Sequence, residues 1–427
     1  MKVALLTLFG HLQSTSSLVN VVAEQLQMLL NAGISTKLLV CEQCPDSERY
    51  GIFLDERIEW VKVKNTYNGK PIIWYDYSEP TQELHETFYY EAENIAKELV
   101  KHLSDVTVCI VHDILYHSVH LVNNAALREA QKELPNTKFL AFSHSAPLKA
   151  PFQPPYPFSC RFTPMPATRY VTFTYALIPA LARQYHVPEG KCRVITHSLN
   201  LLQGMSEDLN RLARQTDLLS PDILIVYPAR FTPEKQFEKV AALAGALKSA
   251  SHQSVKVIFC DIPAADTDLD SYKAFVAQTG VTFGLNWQDM VFTSDLGYAN
   301  GFPREAILEL FTLSNLFISA SMSESFQLTV IEAASRGNFL VLNKNVPALE
   351  ELGKHLDAYF LPWDAYIAGT QITESYFPSE ADFLNARAQE IVDLMMADRV
   401  LKAKTLCRQR FSPKWVWENQ LEPIINE

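Results

Sequence analysis

Two carboxylates in one short segment have the spacing to act on a single ligand. Residues 321–337 read SMSESFQLTVIEAASRG, in which Glu324 and Glu332 are eight residues apart. Eight residues of α-helix rise about 12 Å, which is too far for two carboxylates to share one proton. The spacing therefore predicts that the two groups contact different parts of one elongated ligand.

The same segment has the pattern of a helix that follows a buried strand. Apolar residues at 316–318 come first and a polar turn follows. Phe326, Val330 and Ala333 then recur at the spacing of one helical face, and Gly337 is a typical C-terminal stop. This pattern predicts a helix start at which the backbone N–H groups of residues 325–328 have no intrahelical partner and form an anion site.

A pair of cations, Arg230 and Lys235, follows a second apolar strand, at residues 222–227. A guanidinium and an ammonium at a strand-to-helix turn can bind the oxygens of a phosphate and neutralise their charge. Either cation alone is typical of a solvated surface. Because both precede the two carboxylates by roughly ninety residues of strand and helix pattern, we favour a phosphate site.

These two patterns resemble the signatures of glycosyltransferase family 4, a group of retaining, nucleotide-sugar-dependent enzymes with the GT-B fold. The family pattern is a Glu, seven residues and a second Glu, with Phe-Gly-Leu after the first. Here the corresponding letters are ESFQLTVIE, so Gln327 stands where the family usually has Gly. Arg230 and Lys235 resemble the family's second signature.

The resemblance implies a retaining hexosyltransferase that moves a sugar from a nucleoside diphosphate sugar to an acceptor hydroxyl. It implies that Arg230 and Lys235 neutralise the diphosphate and that Glu332 holds the ribose hydroxyls. It also implies that Glu324 and Gln327 contact the donor sugar. It implies no metal, no other cofactor and no protein nucleophile. The residues that it places at the donor or its nucleotide are Gly10, Ser325, Phe326, Gln327, Leu328 and Glu332.

The elements that must position these residues alternate between strand and helix, which indicates an α/β protein with parallel sheets. We expect limits of 1–205 and 206–400 for two Rossmann-like domains, acceptor-side and donor-side. The resemblance implies that they face a cleft in a GT-B arrangement, with a C-terminal helix at 401–427 that packs back on the first domain.

The loop after the first strand contains Gly10 alone and lacks a G-x-G-x-x-G fingerprint, which disfavours a dehydrogenase. The family uses this loop near the acceptor and the donor phosphates. A glycine required only by the geometry of the turn is the alternative interpretation.

Two predicted strands of the first domain end in histidines. Residues 106–111 lead to His112 and Asp113, and residues 136–142 lead to His144. Ligands of doubly wound sheets bind outside the carboxyl ends of the strands. The resemblance places His144 near the sugar or the acceptor, and Asp113 is a candidate to fix the tautomer of His112.

Composition limits the other classes of function. A net charge of −11 disfavours nucleic-acid binding, and no apolar run reaches the length of a membrane span. Seven scattered cysteines favour a reducing cytoplasm, where we expect the protein. The lone pair Cys41 and Cys44 has no partner cluster at zinc spacing. A membrane-surface contact is possible for the family, but no convincing basic-aromatic patch indicates it here.

Two segments have compositions with more than one interpretation. Residues 72–77 are rich in aromatic side chains, which either stack on sugars or pack in a core. Residues 146–166 are dense in proline and form either an acceptor-side lid or contact surface, or a rigid insertion.

Two other functions stay open. One is a nucleotide-sugar epimerase on the same fold, and the other is a non-catalytic protein that binds a nucleotide or a sugar. The sequence indicates neither the base nor the donor sugar. The acceptor, whether a glycan, a lipid or a small molecule, is also open.

Overall fold

The computed structural model describes residues 1–64, 66–67, 70–71, 77, 83–148, 154–264, 267–367, 370–372 and 379–427. The chain divides into two compact units, one formed by residues 1–198 with 413–427 and the other by residues 199–412. The expected limits were 205/206 and 400/401. The predicted aromatic segment lies outside the described residues at 72–76, and the proline-rich loop does so at 149–153.

The first unit is built on a seven-stranded parallel sheet. Its strand order is β3-β2-β1-β6-β7-β8-β9. The strands of this unit are β1 Lys2–Leu6, β2 Ser35–Cys41, β3 Ile58–Val63, β4 Thr66–Tyr67, β5 Lys70–Pro71, β6 Val108–His112, β7 Lys138–Phe142, β8 Thr168–Thr172 and β9 Cys192–Val194. Strands β4 and β5 form a separate two-stranded antiparallel pair. The helices are α1 Ser17–Asn31, α2 Phe88–Leu103, α3 Leu121–Lys132 and α4 Ile178–Tyr185.

Helices cover both faces of this sheet because the inner positions of its central strands are apolar. Along β1, Val3 and Leu5 pack into one core, whereas Ala4 and Leu6 pack into the other. This alternation follows from the two-residue period of a strand.

The second unit is built on a six-stranded parallel sheet with the order β12-β11-β10-β13-β14-β15. Its strands are β10 Ile223–Phe231, β11 Val255–Pro263, β12 Met290–Phe292, β13 Leu316–Ser319, β14 Phe339–Asn343, β15 Tyr359–Leu361 and the hairpin β16 Ala365–Ile367 with β17 Thr370–Ile372. Its helices are α5 Glu207–Gln215, α6 Phe237–Ser251, α7 Leu269–Phe283, α8 Arg304–Leu313, α9 Leu328–Ala334, α10 Pro347–His355, α11 Glu380–Ala397 and α12 Arg399–Arg410. Two Rossmann-like α/β units, as predicted, are thereby confirmed.

The C-terminal segment joins the first unit, but over a shorter range than 401–427. Helix α12 belongs to the second unit, where the buried Arg408 guanidinium donates to the carbonyls of Leu218 and Leu219. The segment that follows, α13 Pro413–Val416 and α14 Glu422–Asn426, packs Val416 and Ile424 into the core of the first unit.

The described part of the proline-rich loop is anchored to the first unit. Arg128 on α3 donates to the carbonyls of Cys160, Thr163 and Pro164. Arg161 is buried and donates to the carbonyl of Tyr116 over 3.0 Å. Residues 158–164 are therefore held in place by hydrogen bonds to the rest of the first unit.

Within the described ranges, no helix combines the length and apolarity that a membrane crossing requires.

Candidate functional site

The predicted donor residues of the second unit lie where the strand order of its sheet reverses. Strands β10 and β13 are neighbours and parallel, with Ile225 opposite Leu316. The chain leaves β10 toward β11 on one side and leaves β13 toward β14 on the other. A crevice opens at the carboxyl ends of two such strands, and this is where doubly wound sheets bind ligands.

Lys235 and Glu324 meet at this edge. Lys235 Nζ lies 2.5 Å from Glu324 Oε1 and 3.4 Å from Ser321 Oγ. The Lys235 and Glu324 side chains are only 16% and 13% exposed, so the ion pair is largely shielded from water. Two residues predicted separately from the sequence are thus brought into direct contact by adjacent strands.

The backbone around this ion pair is held by neighbouring side chains. Gln236, in the left-handed region at φ +49°, donates from its side chain to the carbonyls of Ala320 at 2.5 Å and Asp364 at 2.9 Å. The Tyr227 hydroxyl donates to the Lys235 carbonyl over 2.6 Å. These bonds tie the turn after β10 to the turn after β13, so Lys235 and Glu324 are positioned before any ligand arrives.

Arg230 lies on β10 itself, because this strand continues to Phe231 and not only to Tyr227 as predicted. Arg230 is opposite Ile262 in the pairing with β11. Its side chain is exposed and makes no hydrogen bond or ion pair with any residue that the structure describes. Its guanidinium is therefore available to a ligand.

Glu332 lies on α9 with its side chain 11% exposed, and it forms an ion pair with Arg304 at the start of α8. The sequence analysis missed Arg304. Its only sequence signal is that it directly follows Pro303, and proline is typical of the first turn of a helix. Glu324 and Glu332 are therefore each bound to a different cation, which agrees with separate roles.

The helix start was placed too early in the sequence. Helix α9 begins at Leu328, and Gln327 is its N-cap. Ser325 and Phe326 precede the helix, and Phe326 is 57% exposed and not on the buried face with Val330. Leu328 is 47% exposed. The prediction that residues 325–328 form the first turn is wrong; a polar loop precedes a seven-residue helix.

The Gln327 side chain points into the sheet. Its Oε1 accepts a 2.5 Å hydrogen bond from the buried hydroxyl of Ser319, at the end of β13. The amide oxygen is therefore used internally, which leaves the backbone and the amide Nε2 group of Gln327 for a ligand. The contact of Gln327 with a donor sugar stays a prediction.

Gly10 follows β1, which neighbours β6 where the strand order of the first sheet reverses. Its φ is outside the left-handed region, and a Cβ built on it would meet no atom within 4 Å. The geometry of the turn therefore does not require glycine here. A role in ligand approach stays a prediction.

His112 and His144 are in contact at the carboxyl edge of the same sheet. His112 Nδ1 lies 2.9 Å from His144 Nε2, and His112 Nε2 lies 3.0 Å from Gln25 Oε1 on α1. Asp113 does not bond to His112 as predicted. It accepts the backbone N–H of His144 over 2.9 Å, so it fixes the loop and not the tautomer.

Burial controls the charge of this cluster. It lowers the pKa of His112 well below 6.5, with smaller contributions from His144 and His197. The pKa of His144 falls to about 4, through burial first and His197 second. Both rings are therefore neutral at pH 7. The sequence signal that was missed is Gln25, a polar residue on the apolar face of α1 beside Val22 and Leu26.

The Cys41 and Cys44 thiols are buried, and burial raises the pKa of each, to about 12 and about 11 respectively. Neither is a reactive thiolate at neutral pH. No set of three His, Cys, Asp or Glu side chains is arranged to hold a metal ion in the part of the chain that the structure describes.

Residues 210–362 match the family model described as "Glycosyl transferases group 1". The matched region contains Arg230, Lys235, Glu324 and Glu332, and it supports a glycosyltransferase. No curated protein matches the chain.

Several solved structures align along the whole chain at low similarity. A glycosyltransferase from Rickettsia africae is 15% identical, with 100% of this chain and 98% of that chain covered and a TM-score of 0.37. Sucrose-phosphate synthase from Thermosynechococcus elongatus is 13% identical, with coverages of 100% and 98% and a TM-score of 0.38. The Anabaena protein HepE in complex with UDP-glucose is 14% identical, with both chains covered to 100% and a TM-score of 0.35.

Proposed function

We propose that this protein is a retaining hexosyltransferase that transfers a sugar from a nucleoside diphosphate sugar to an acceptor hydroxyl. The observation that carries the proposal is the assembly of Arg230, Lys235 and Glu324 where the order of the second sheet reverses. The family match over residues 210–362 supports the same class of enzyme.

The charges at this edge suit a diphosphate that becomes a leaving group. Arg230 has no partner among the described residues, so it can bind two phosphate oxygens at no loss of an existing bond. Lys235 is held by Glu324 and Ser321 at a fixed position. Fixed cations stabilise developing negative charge without reorganisation, and we propose that they do so here without a metal.

The two glutamates suit binding roles better than acid–base roles. Each carboxylate is already bound to a cation, Glu324 to Lys235 and Glu332 to Arg304. We propose that Glu332 accepts hydrogen bonds from the ribose and that Glu324 meets the donor sugar. The transfer then needs no carboxylate nucleophile, and the departing phosphate takes the proton of the acceptor.

A thermal-shift experiment tests the donor site. The wild-type protein, Arg230→Ala and Glu332→Gln are melted with millimolar UDP, GDP and ADP. Because a ligand of the folded state stabilises it by about 2.7 kcal/mol at one hundred times its Kd, the second unit should melt several degrees higher, at about 2–4 °C per kcal/mol. Arg410→Ala is the matched control, since Arg410 lies with Asp222 beside the amino end of β10.

The expected result is that one nucleotide stabilises the wild type and the control but neither site variant. A shift that survives Arg230→Ala would contradict the assignment. Release of free nucleoside diphosphate only when an acceptor is present would exclude the epimerase. Binding without any release, across a broad panel of acceptors, would favour the non-catalytic alternative.

A further inference from the structure

The chain Gln25–His112–His144 in the first unit joins helix α1 to the ends of β6 and β7. Gln25 and His112 are 5% and 2% exposed, whereas His144 is half-buried beside the loop. In such a series of hydrogen-bonded side chains, the donor and acceptor roles of one group fix those of the next, because every hydrogen bond needs one donor and one acceptor.

The direction follows from the group at the buried end. The Gln25 group that faces His112 is the carbonyl oxygen Oε1, which can only accept, so His112 carries its proton on Nε2. The Nδ1 atom of a neutral ring with that proton is an acceptor. His144 must then donate from Nε2. Its remaining nitrogen, Nδ1, is left with a free lone pair.

The position of the His144 ring is also restricted. Its centroid lies 4.9 Å from that of Phe173 and 5.7 Å from that of His197. Its backbone N–H is held by Asp113. No described residue bonds to its Nδ1, and His144 lies at the edge where doubly wound sheets bind their ligands.

We propose that Gln25 and His112 are positioning residues that hold His144 as the Nε2–H tautomer, so that its Nδ1 accepts a hydrogen bond from a hydroxyl of the acceptor. The hydrogen bond between His144 and the acceptor hydroxyl rests on the proposed function, whereas the tautomer of His144 does not depend on it. Neither Gln25 nor His112 touches the ligand in this arrangement. They act through the protonation site of His144.

The tautomer can be measured without any substrate. Imidazole ¹⁵N chemical shifts separate a protonated from an unprotonated ring nitrogen, so long-range ¹H–¹⁵N spectra of the labelled full-length protein report each histidine. We expect His112 and His144 both to be protonated on Nε2 at pH 7.5. An Nδ1–H form of His144 in the wild type would overturn the proposal.

Two variants test what sets the tautomer. Gln25→Met keeps the size of the side chain and removes the acceptor, so both rings should become mixtures of tautomers. Gln27→Met is the matched control: it is the same change on the same helix, where the amide donates to the exposed Asn31 and, among the described residues, to no other side chain. An unchanged His144 tautomer in a folded Gln25→Met protein would also overturn the proposal.

His112→Gln serves as the conservative variant and covers the case in which Gln25→Met does not fold. An amide at this position can accept from His144 and donate to Gln25, so the His144 tautomer should be kept. A changed tautomer in that variant contradicts the proposed chain.

The activity of the same variants tests the role of the hydroxyl. Loss of one hydrogen bond to a non-reacting hydroxyl of the acceptor corresponds to a kcat/KM for the acceptor about tenfold lower in Gln25→Met, with the KM of the donor unchanged and full activity in Gln27→Met. If no transfer activity exists, the proposed function fails while the tautomer result stands. If activity exists and Gln25→Met retains all of it despite mixed tautomers, the role of His144 as an acceptor is wrong.

Discussion

At the scale of single residues, the proposed donor site consists of paired charges and one cation, Arg230, that has no partner among the described residues. Lys235 is matched by Glu324 and Glu332 by Arg304, whereas Arg230 is unmatched among the described residues. A shielded ion pair is costly to break on one side, because the remaining charge keeps its desolvation penalty without compensation.

This asymmetry gives a prediction for Lys235. Lys235→Met should lower the free energy of unfolding of the second unit by about 2–3 kcal/mol, because it leaves the Glu324 carboxylate without its cation. The double variant Lys235→Met with Glu324→Gln should recover most of this loss, since the buried charge is gone. Urea denaturation of the two single variants and the double variant measures the coupling. Purely additive losses would show that Lys235 and Glu324 do not interact in solution.

Gln327 gives a second prediction at this scale. Gln327→Gly would create the letter that the resembled family usually has, but it would leave the buried Ser319 hydroxyl without its acceptor. We expect a loss of about 1–3 kcal/mol in unfolding free energy. In Gln327→Gly with Ser319→Ala the unpaired hydroxyl is removed, so part of the loss should return. Equal stability of Gln327→Gly and the wild type would contradict the internal hydrogen bond.

At the scale of elements, the sequence predicted whether a segment is a strand or a helix better than it predicted the first and last residues of that segment. The strands β6, β7, β10 and β13 follow from their apolar patterns, because central strands that are buried on both faces read as continuous apolar runs. Helix α9 starts later than its pattern suggested, since Gln327 bonds to β13 and holds the backbone extended at its N-cap. A hydrogen bond between elements cannot be read from the letters of either element.

The same reason explains which features of the candidate site could be predicted from the sequence. Arg230, Lys235 and the two glutamates stand in a recognisable spacing, so the residues were predicted individually. Their pairing was not, because Lys235 meets Glu324 only through the neighbouring positions of β10 and β13. Gln25 was missed entirely: it is eighty-seven positions from His112 in the chain, and only the fold joins them.

Two glycines make a matched test at this scale. Gly337 lies just after α9 and has a φ of +67°, at which a residue with a side chain is strained. There is space for a side chain, since a Cβ built on Gly337 would meet no atom within 4 Å. Gly337→Ala should therefore cost about 1 kcal/mol in unfolding stability. The measurement is urea denaturation of the second unit. No measurable loss would mean that the C-terminal turn of α9 differs from the one described here.

Gly10→Ala should behave in the opposite way. Its φ and its open surroundings predict a stability within about 0.5 kcal/mol of the wild type, because neither strain nor a clash arises. If the loop approaches a ligand as the resemblance implies, ligand affinity falls while stability does not. Titration calorimetry beside urea denaturation separates the two effects. A clear loss of stability would show that glycine is needed by the turn itself.

At the scale of the whole molecule, the two units differ in how they should respond to acid. In the first unit burial lowers the pKa of His112, His144, His197 and His120, the last to about 3. The two histidines of the second unit are His252 and His355. The loss of stability in acid that arises when buried neutral histidines become protonated should therefore occur mainly in the first unit.

The sign of the effect follows from proton linkage. A histidine with a folded pKa of about 4 and an unfolded value near 6.5 binds more protons in the unfolded state between those limits. The stability of the first unit should thus be level above pH 6.5 and fall as the pH drops toward 4, by up to about 3 kcal/mol for His144 alone. His144→Gln removes one titrating group and should flatten this dependence, whereas His252→Gln should not. Melting curves at pH 7.5, 6 and 5 measure it. A first unit whose stability rises on acidification over this range would mean that these histidines are charged in the folded protein.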